Sequence, residues 1–70
     1  MRGAASIDGA KLRRLRREQA LTLAELSERS GVADGTISRL ENERRPAMLP
    51  TIRKLSEAFG IEPKELMKGD

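Results

Sequence analysis

The residues of this chain best equipped for chemistry are its arginines, and the chemistry they offer is the grip of anions. Lys11, Arg13, Arg14, Arg16 and Arg17 form one basic run, and Arg39, Arg44 and Arg45 form a second. A guanidinium presents a fixed fork of donors that matches a phosphate and can bond both acceptors on the edge of a guanine. Between the runs stand the small polar side chains Thr22, Thr36 and Ser38, and within the second stands Asn42, all able to bond a backbone or a base edge. A run of like charge standing alone is as readily a solvated helix face. Two runs flanking a pair of short helices joined by a tight turn favour phosphate contact instead.

Other chemistries are excluded by what is missing. The chain has neither Cys nor His. Disulfides, thiolate metal sites, zinc fingers and His-based proton transfer are therefore ruled out. No glycine-rich phosphate loop and no clustered carboxylates stand in for them, so no enzyme, cofactor or metal is expected. Phe59 is the single aromatic residue, too little for binding by base stacking. No apolar run reaches the roughly 18 residues of a membrane span, and MRGAASIDGA has no signal-peptide core. A soluble, cytoplasmic protein is the expectation. Seventy residues allow one domain, held by aliphatic packing alone.

The elements that must position these groups read as five short helices without a strand pattern. Residues 1–7 read as a flexible N-terminal arm, 8–68 as the domain and 69–70 as a frayed end. Asp8 is a plausible N-cap for a first helix over about 9–19, with Leu12 and Leu15 inward. Thr22-Leu23-Ala24-Glu25 fits a capping box that opens the second helix, with Ala24, Leu26 and Ser27 on its inner side. Gly31 suits the left-handed stop. The third helix spans about 34–42, with Ile37 and Leu40 inward. That leaves Asp34, Gly35, Thr36, Ser38 and Arg39 on its open side or exposed start. A helix packed on one face and polar on the other is suited to a DNA groove. Ala33, at the cap position of this helix, has no side-chain acceptor. Residues 43–48 read as a loop. A fourth helix covers about 49–59, with Leu49, Ile52, Leu55, Ala58 and Phe59 as its stripe and Gly60 as its stop. A short fifth helix follows Glu62-Pro63 with Leu66 inward, and Met67 is placed at the surface.

Residues 11–67 resemble the helix-turn-helix domain of the lambda-repressor/Cro-like (XRE) regulators. The matching pieces are LRRLRREQALTLAELSERSGV, TISRLENERR and TIRKLSEAFGIEPKEL. The resemblance implies an all-α, lambda-repressor-like five-helix bundle whose helices 2 and 3 form the helix-turn-helix, with helix 3 in the major groove of double-stranded DNA. It places Asp34, Gly35, Thr36, Ser38 and Arg39 at the bases or nearby phosphates. Thr22, Leu23 and Asn42 fall at the backbone, joined by Arg44, Arg45, Arg13 and Arg17. Leu23 stands where Gln or Ser is common, which leaves Thr22 and the helix-start amides to meet phosphate there. Arg16 and Glu41 match a structural salt bridge of the family.

The expected function is a sequence-specific transcriptional regulator, a repressor, acting as a homodimer on a palindromic site. Its self-contact is expected near helix 5, with Leu66 and Met67 as apolar surface. Arg39 could read guanine, or could instead pair with Asp34, Glu43 or a phosphate. Asp34 could accept from cytosine or serve only the helix dipole. The other class kept open is a protein-interaction module on the same fold, such as an antitoxin-like partner binder, marked by a large apolar patch on helices 4 and 5.

Overall fold

Local chemistry sets most of the helix boundaries among the described residues. The structure, a computed structural model, describes residues 4–42 and 46–68. Helix α1 (Gly9–Glu18) opens at Asp8, whose carboxylate accepts from the Lys11 amide at 3.1 Å. Helix α2 (Leu23–Ser30) opens with the reciprocal box: the Glu25 amide donates to the Thr22 hydroxyl at 3.0 Å, and the Thr22 amide to the Glu25 carboxylate at 2.8 Å. Gly31 ends it at φ +80°, in the left-handed region that side chains disfavour. Helix α3 (Asp34–Asn42) follows directly after Val32 and Ala33. Helix α4 (Leu49–Phe59) carries Pro50 in its first turn, where a missing amide costs little, and stops at Gly60.

The buried apolar residues form one cluster to which all four α-helices contribute. Leu12, Leu26, Ile37, Leu40, Ile52, Leu55, Phe59 and Leu66 join the corner residues Leu21 and Val32. Short helices of this kind are unstable alone, so this shared core holds them. Ser56 is buried among them, its hydroxyl satisfied by donating to the Arg53 carbonyl at 2.9 Å.

The order departs from five helices. Four α-helices are present among the described residues, and the segment expected to be the fifth is a single 3₁₀ turn, Pro63–Glu65. Only three residues separate Glu62 from Leu66, which must turn at once into the core, so no α-helical ladder can develop.

The described residues also include two strands. Strand β1 (Ala4–Ser6) pairs antiparallel with β2 (Pro46–Met48), in the register Ala4 to Met48 and Ser6 to Pro46. Near its end β1 is also tied to the C-terminal segment. The Asp8 amide donates to the Leu66 carbonyl at 2.8 Å and the Lys68 amide to the Ser6 carbonyl at 3.0 Å, around a bridge between Ile7 and Met67. Residues 4–7 of the expected loose arm are therefore part of the fold, and Ile7 and Ala47 enter the core. Likewise, residues 46–48 of the expected loop are strand. Residues 1–3 and 69–70 lie outside the described residues.

Five side chains differ from an expected placement. Ala24 is exposed rather than inner. Leu15 is only half-buried. Leu49 is 39% exposed, because the buried side of α4 begins one turn later at Ile52. Met67 is half-buried by its pairing with Ile7, and Leu66 is fully buried, so neither supplies the apolar self-contact surface expected of them.

Candidate nucleic-acid interface

Helix α3 is fixed on one side by Ile37 and Leu40, both buried, and this orientation decides what its other side presents. Asp34, Gly35, Thr36 and Arg39 are exposed, while Ser38 is half-buried at the edge of the face. Asn42 is exposed, but its amide nitrogen is engaged with its own helix, donating to the Ser38 carbonyl at 2.8 Å. The Ala33 carbonyl accepts the first helical bond, from the Ile37 amide at 3.0 Å. Ala33 is therefore the N-cap residue, and it has no side chain to satisfy the next amides.

The start of α2 offers a different set. The Thr22 hydroxyl is exposed and already holds the Glu25 amide. Leu23 packs its half-buried side chain against the core, so only its backbone amide is placed to meet a phosphate. Glu25 is held below its usual carboxylate range by accepting from the Thr22 amide and hydroxyl.

The basic run on α1 divides. Arg16 turns inward: its Nε donates to Glu41 Oε2 at 2.7 Å, one terminal nitrogen to Glu41 Oε1 at 3.0 Å, and the other to the Leu21 carbonyl at 2.9 Å. The Arg16 side chain is 12% exposed and that of Glu41 only 2%. The hydrogen bond to Glu41 raises the Arg16 pKa, with burial opposing and the charge of Glu41 adding to the rise. This fork ties α1 to the last turn of α3 and to the corner before α2, which makes it structural. Arg13 leans toward the same carboxylate, Nε to Oε1 at 3.6 Å, yet remains 44% exposed. Arg17 is exposed and acts on its own helix as a cation in the last turn. Arg44 and Arg45, with Glu43, lie outside the described residues.

Close approach between helices adds a contact that the sequence reading missed. A Cβ built on Gly9 would run into the Leu40 carbonyl oxygen and lie 3.2 Å from that of Glu41. The start of α1 thus sits directly on the backbone of α3, and only glycine fits there.

Also missed are Pro46, Ala47, Met48 and Thr51, which form a groove with Thr36 and Arg39. One signal for Met48 was available: Pro50 in a first turn makes Met48 the N-cap, a position outside the helix proper.

Comparison with known proteins supplies the context for this arrangement. A protein-family model described as helix-turn-helix matches residues 12–66. The HTH-type transcriptional repressor RghR of Bacillus subtilis (strain 168) is 47% identical over 60 residues, covering 84% of this chain and 44% of that protein. The chain therefore spans less than half the length of that relative. Among solved structures, the restriction-modification controller protein C.AhdI from Aeromonas hydrophila superposes with a TM-score of 0.78 at 36% identity, covering 84% of this chain and 89% of that one. The master regulator for biofilm formation SinR, solved in complex with DNA, superposes with a TM-score of 0.74 at 26% identity, over 80% of this chain and 90% of the other.

Proposed function

The chain belongs to the helix-turn-helix family, and on that premise we propose that it is a transcriptional regulator, a repressor, that binds specific double-stranded DNA with α3 in the major groove. One observation carries the reading. Ile37 and Leu40 bury the inner side of α3 completely enough to fix its rotation, and the residues left outward are those that can bond a base edge or phosphate. Arg39 takes guanine, where a bidentate pair discriminates by about 1–3 kcal/mol. Thr36 and Ser38 accept or donate to bases at the middle of the helix. Asp34 and Gly35 stand at its entry, where Asp34 accepts from a cytosine amino group. Thr22 and the Leu23 amide hold one strand of the backbone. Asn42, Arg44 and Arg45 hold the other, with Arg13 and Arg17 nearby.

The chain presents one such helix, a small interface for a specific complex. Two copies reading half-sites about 10 bp apart would double it. The partner-binding alternative calls for a broad apolar patch on the C-terminal helices. Among the described residues the exposed large apolar side chains are Met48 and Leu49 alone.

Selection of bound duplexes from a random library at two salt concentrations tests this reading. An enriched palindrome with turn-spaced halves is expected. Arg39→Ala should flatten preference at one base pair, whereas Arg44→Ala should weaken all duplexes alike and lower the salt slope by about 0.9. Absence of any enriched sequence, at low salt as well as high, sinks it.

A further inference from the structure

Beside the exposed face of α3 runs a groove of about 210 Å³ with two unlike walls. Thr36 and Arg39 of α3 form the polar wall, and Pro46 and Met48 of β2 form the apolar one. The buried Leu40 and Ala47 lie at its base. Met48 is 57% exposed, more than any other large apolar side chain among the described residues. Its backbone is nonetheless held, because Met48 pairs with Ala4 in the sheet and forms the N-cap of α4. A thioether chain on a fixed backbone can mould itself to a small apolar group.

The major-groove edges of base pairs consist of donors and acceptors with one apolar exception, the C5 methyl of thymine. We infer that this groove receives a thymine methyl, packed between Met48 and the Thr36 methyl group over Ala47, while Arg39 addresses the adjoining base. The inference rests on the placement of α3 in the major groove proposed above. The groove is continuous with the outward face of α3, so whatever lies along that face meets it. Its mixed walls suit a ligand that sets a methyl beside hydrogen-bonding edges. A second copy of the chain fits less well: a specific protein interface buries about 1,200–2,000 Å², and two exposed apolar side chains fall far short of that.

The test uses the duplex enriched from the library, resynthesised with deoxyuridine at each thymine in turn, which removes the methyl group and nothing else. The wild-type chain is expected to bind about fourfold more weakly at one thymine in each half-site, the fold-change for one buried methyl. That ratio should hold at both salt concentrations, because the lost contact carries no charge. Met48→Ala, expected to leave thermal unfolding unchanged because the side chain is largely exposed, should bind the thymine and uracil duplexes alike at that position. Indifference of the wild type to every uracil, or an enriched site that contains no thymine, overturns the inference. So does a uracil penalty of undiminished size in Met48→Ala. If Met48→Ala weakens both duplexes equally and sediments as a monomer where the wild type is a dimer, the groove is a self-association surface and the inference falls. A library that enriches nothing overturns the placement of α3 itself, a failure separable from the others.

Discussion

At its last turn α3 is gripped by α1, whereas the residues at its entry, Ala33 to Gly35, are exposed. At the C-terminal end Leu40 is buried, Glu41 is forked by Arg16, and Gly9 brings the α1 backbone against the Leu40 and Glu41 carbonyls. At the N-terminal end Ala33, Asp34 and Gly35 are exposed, and a Cβ on Gly35 would meet nothing within 4 Å. The contrast separates two tasks. One end fixes the helix to the domain, and substitutions there act on stability. At the other end Ala33, Asp34 and Gly35 are exposed, so these side chains can change with the sequence being read while the fold stays the same. The start of α2 lies between these extremes, exposed but closed by its own capping box.

The largest effect is expected from breaking the fork. Arg16→Ala leaves the Glu41 carboxylate buried with only the more distant Arg13 beside it, a loss of about 3 kcal/mol. Urea unfolding should register it. Replacing both partners by apolar residues, Arg16→Met with Glu41→Leu, should recover most of the loss, because a buried charge pair itself carries a desolvation cost. A loss below about 0.5 kcal/mol would class the pair with surface ion pairs and weaken the contrast between the two ends.

Gly9→Ala comes next. The added methyl forces α1 off the Leu40 carbonyl, an overpacking cost of about 2 kcal/mol that outweighs the gain of about 1 kcal/mol in helix propensity. A net fall of several degrees in Tm is expected, and a rise would mean that α1 can slide without consequence.

At the free end the sign reverses. Gly35→Ala should stabilise by about 0.5–1 kcal/mol, since the position is helical, exposed and open. Ala33→Ser should add about 1 kcal/mol by capping. Calorimetry gives the stability, and a repeat of the duplex selection should show altered base preference at an intact fold. Destabilisation by either substitution would show packing at this end that the structure lacks.

The smallest effect concerns pH. The Glu25 carboxyl lies below its ordinary value through its bonds with Thr22. A carboxylate depressed in the folded state contributes stability above its unfolded pKa and loses it as pH falls through the lower folded value. The contribution is therefore complete at neutral pH and fades below the ordinary carboxylate range. Stability against pH should fall there in the wild type and less steeply in Glu25→Gln. Equal slopes would mean that the capping box is not formed in solution.

Much of this was legible in the residues, for a reason that separates the legible from the rest. Asp8, the Thr22–Glu25 box, Gly31 and Gly60 act within a few positions of themselves, so the helix boundaries follow from neighbours in the chain. Ile37 and Leu40 sit at helical spacing, which gives the inner side of α3 and with it the outward set. The strands were not legible, because three residues each are too few for an alternating pattern to stand out. Ala20 adopts φ +56° at the corner after α1, a conformation that a residue with a Cβ gives no hint of in advance. Gly9 read only as the start of a helix, since the carbonyl that excludes a side chain belongs to Leu40, far along the chain.

By itself the sequence indicated the four α-helices, along with a fifth that folds as a 3₁₀ turn, the caps at Asp8 and Thr22, most of the buried stripe and the absence of the groups that metal or thiol chemistry needs, all properties of residue type and short-range spacing. Tertiary structure decided what distant segments do to one another: that β1 pairs with β2 and the C-terminal segment, that α1 lies on the α3 backbone at Gly9, and that Met48 flanks Arg39 across a groove, while the Arg16–Glu41 pair came only from the family resemblance. Those contacts depend on where the packed core brings each element, and no local pattern encodes the approach of residues so far apart in the chain.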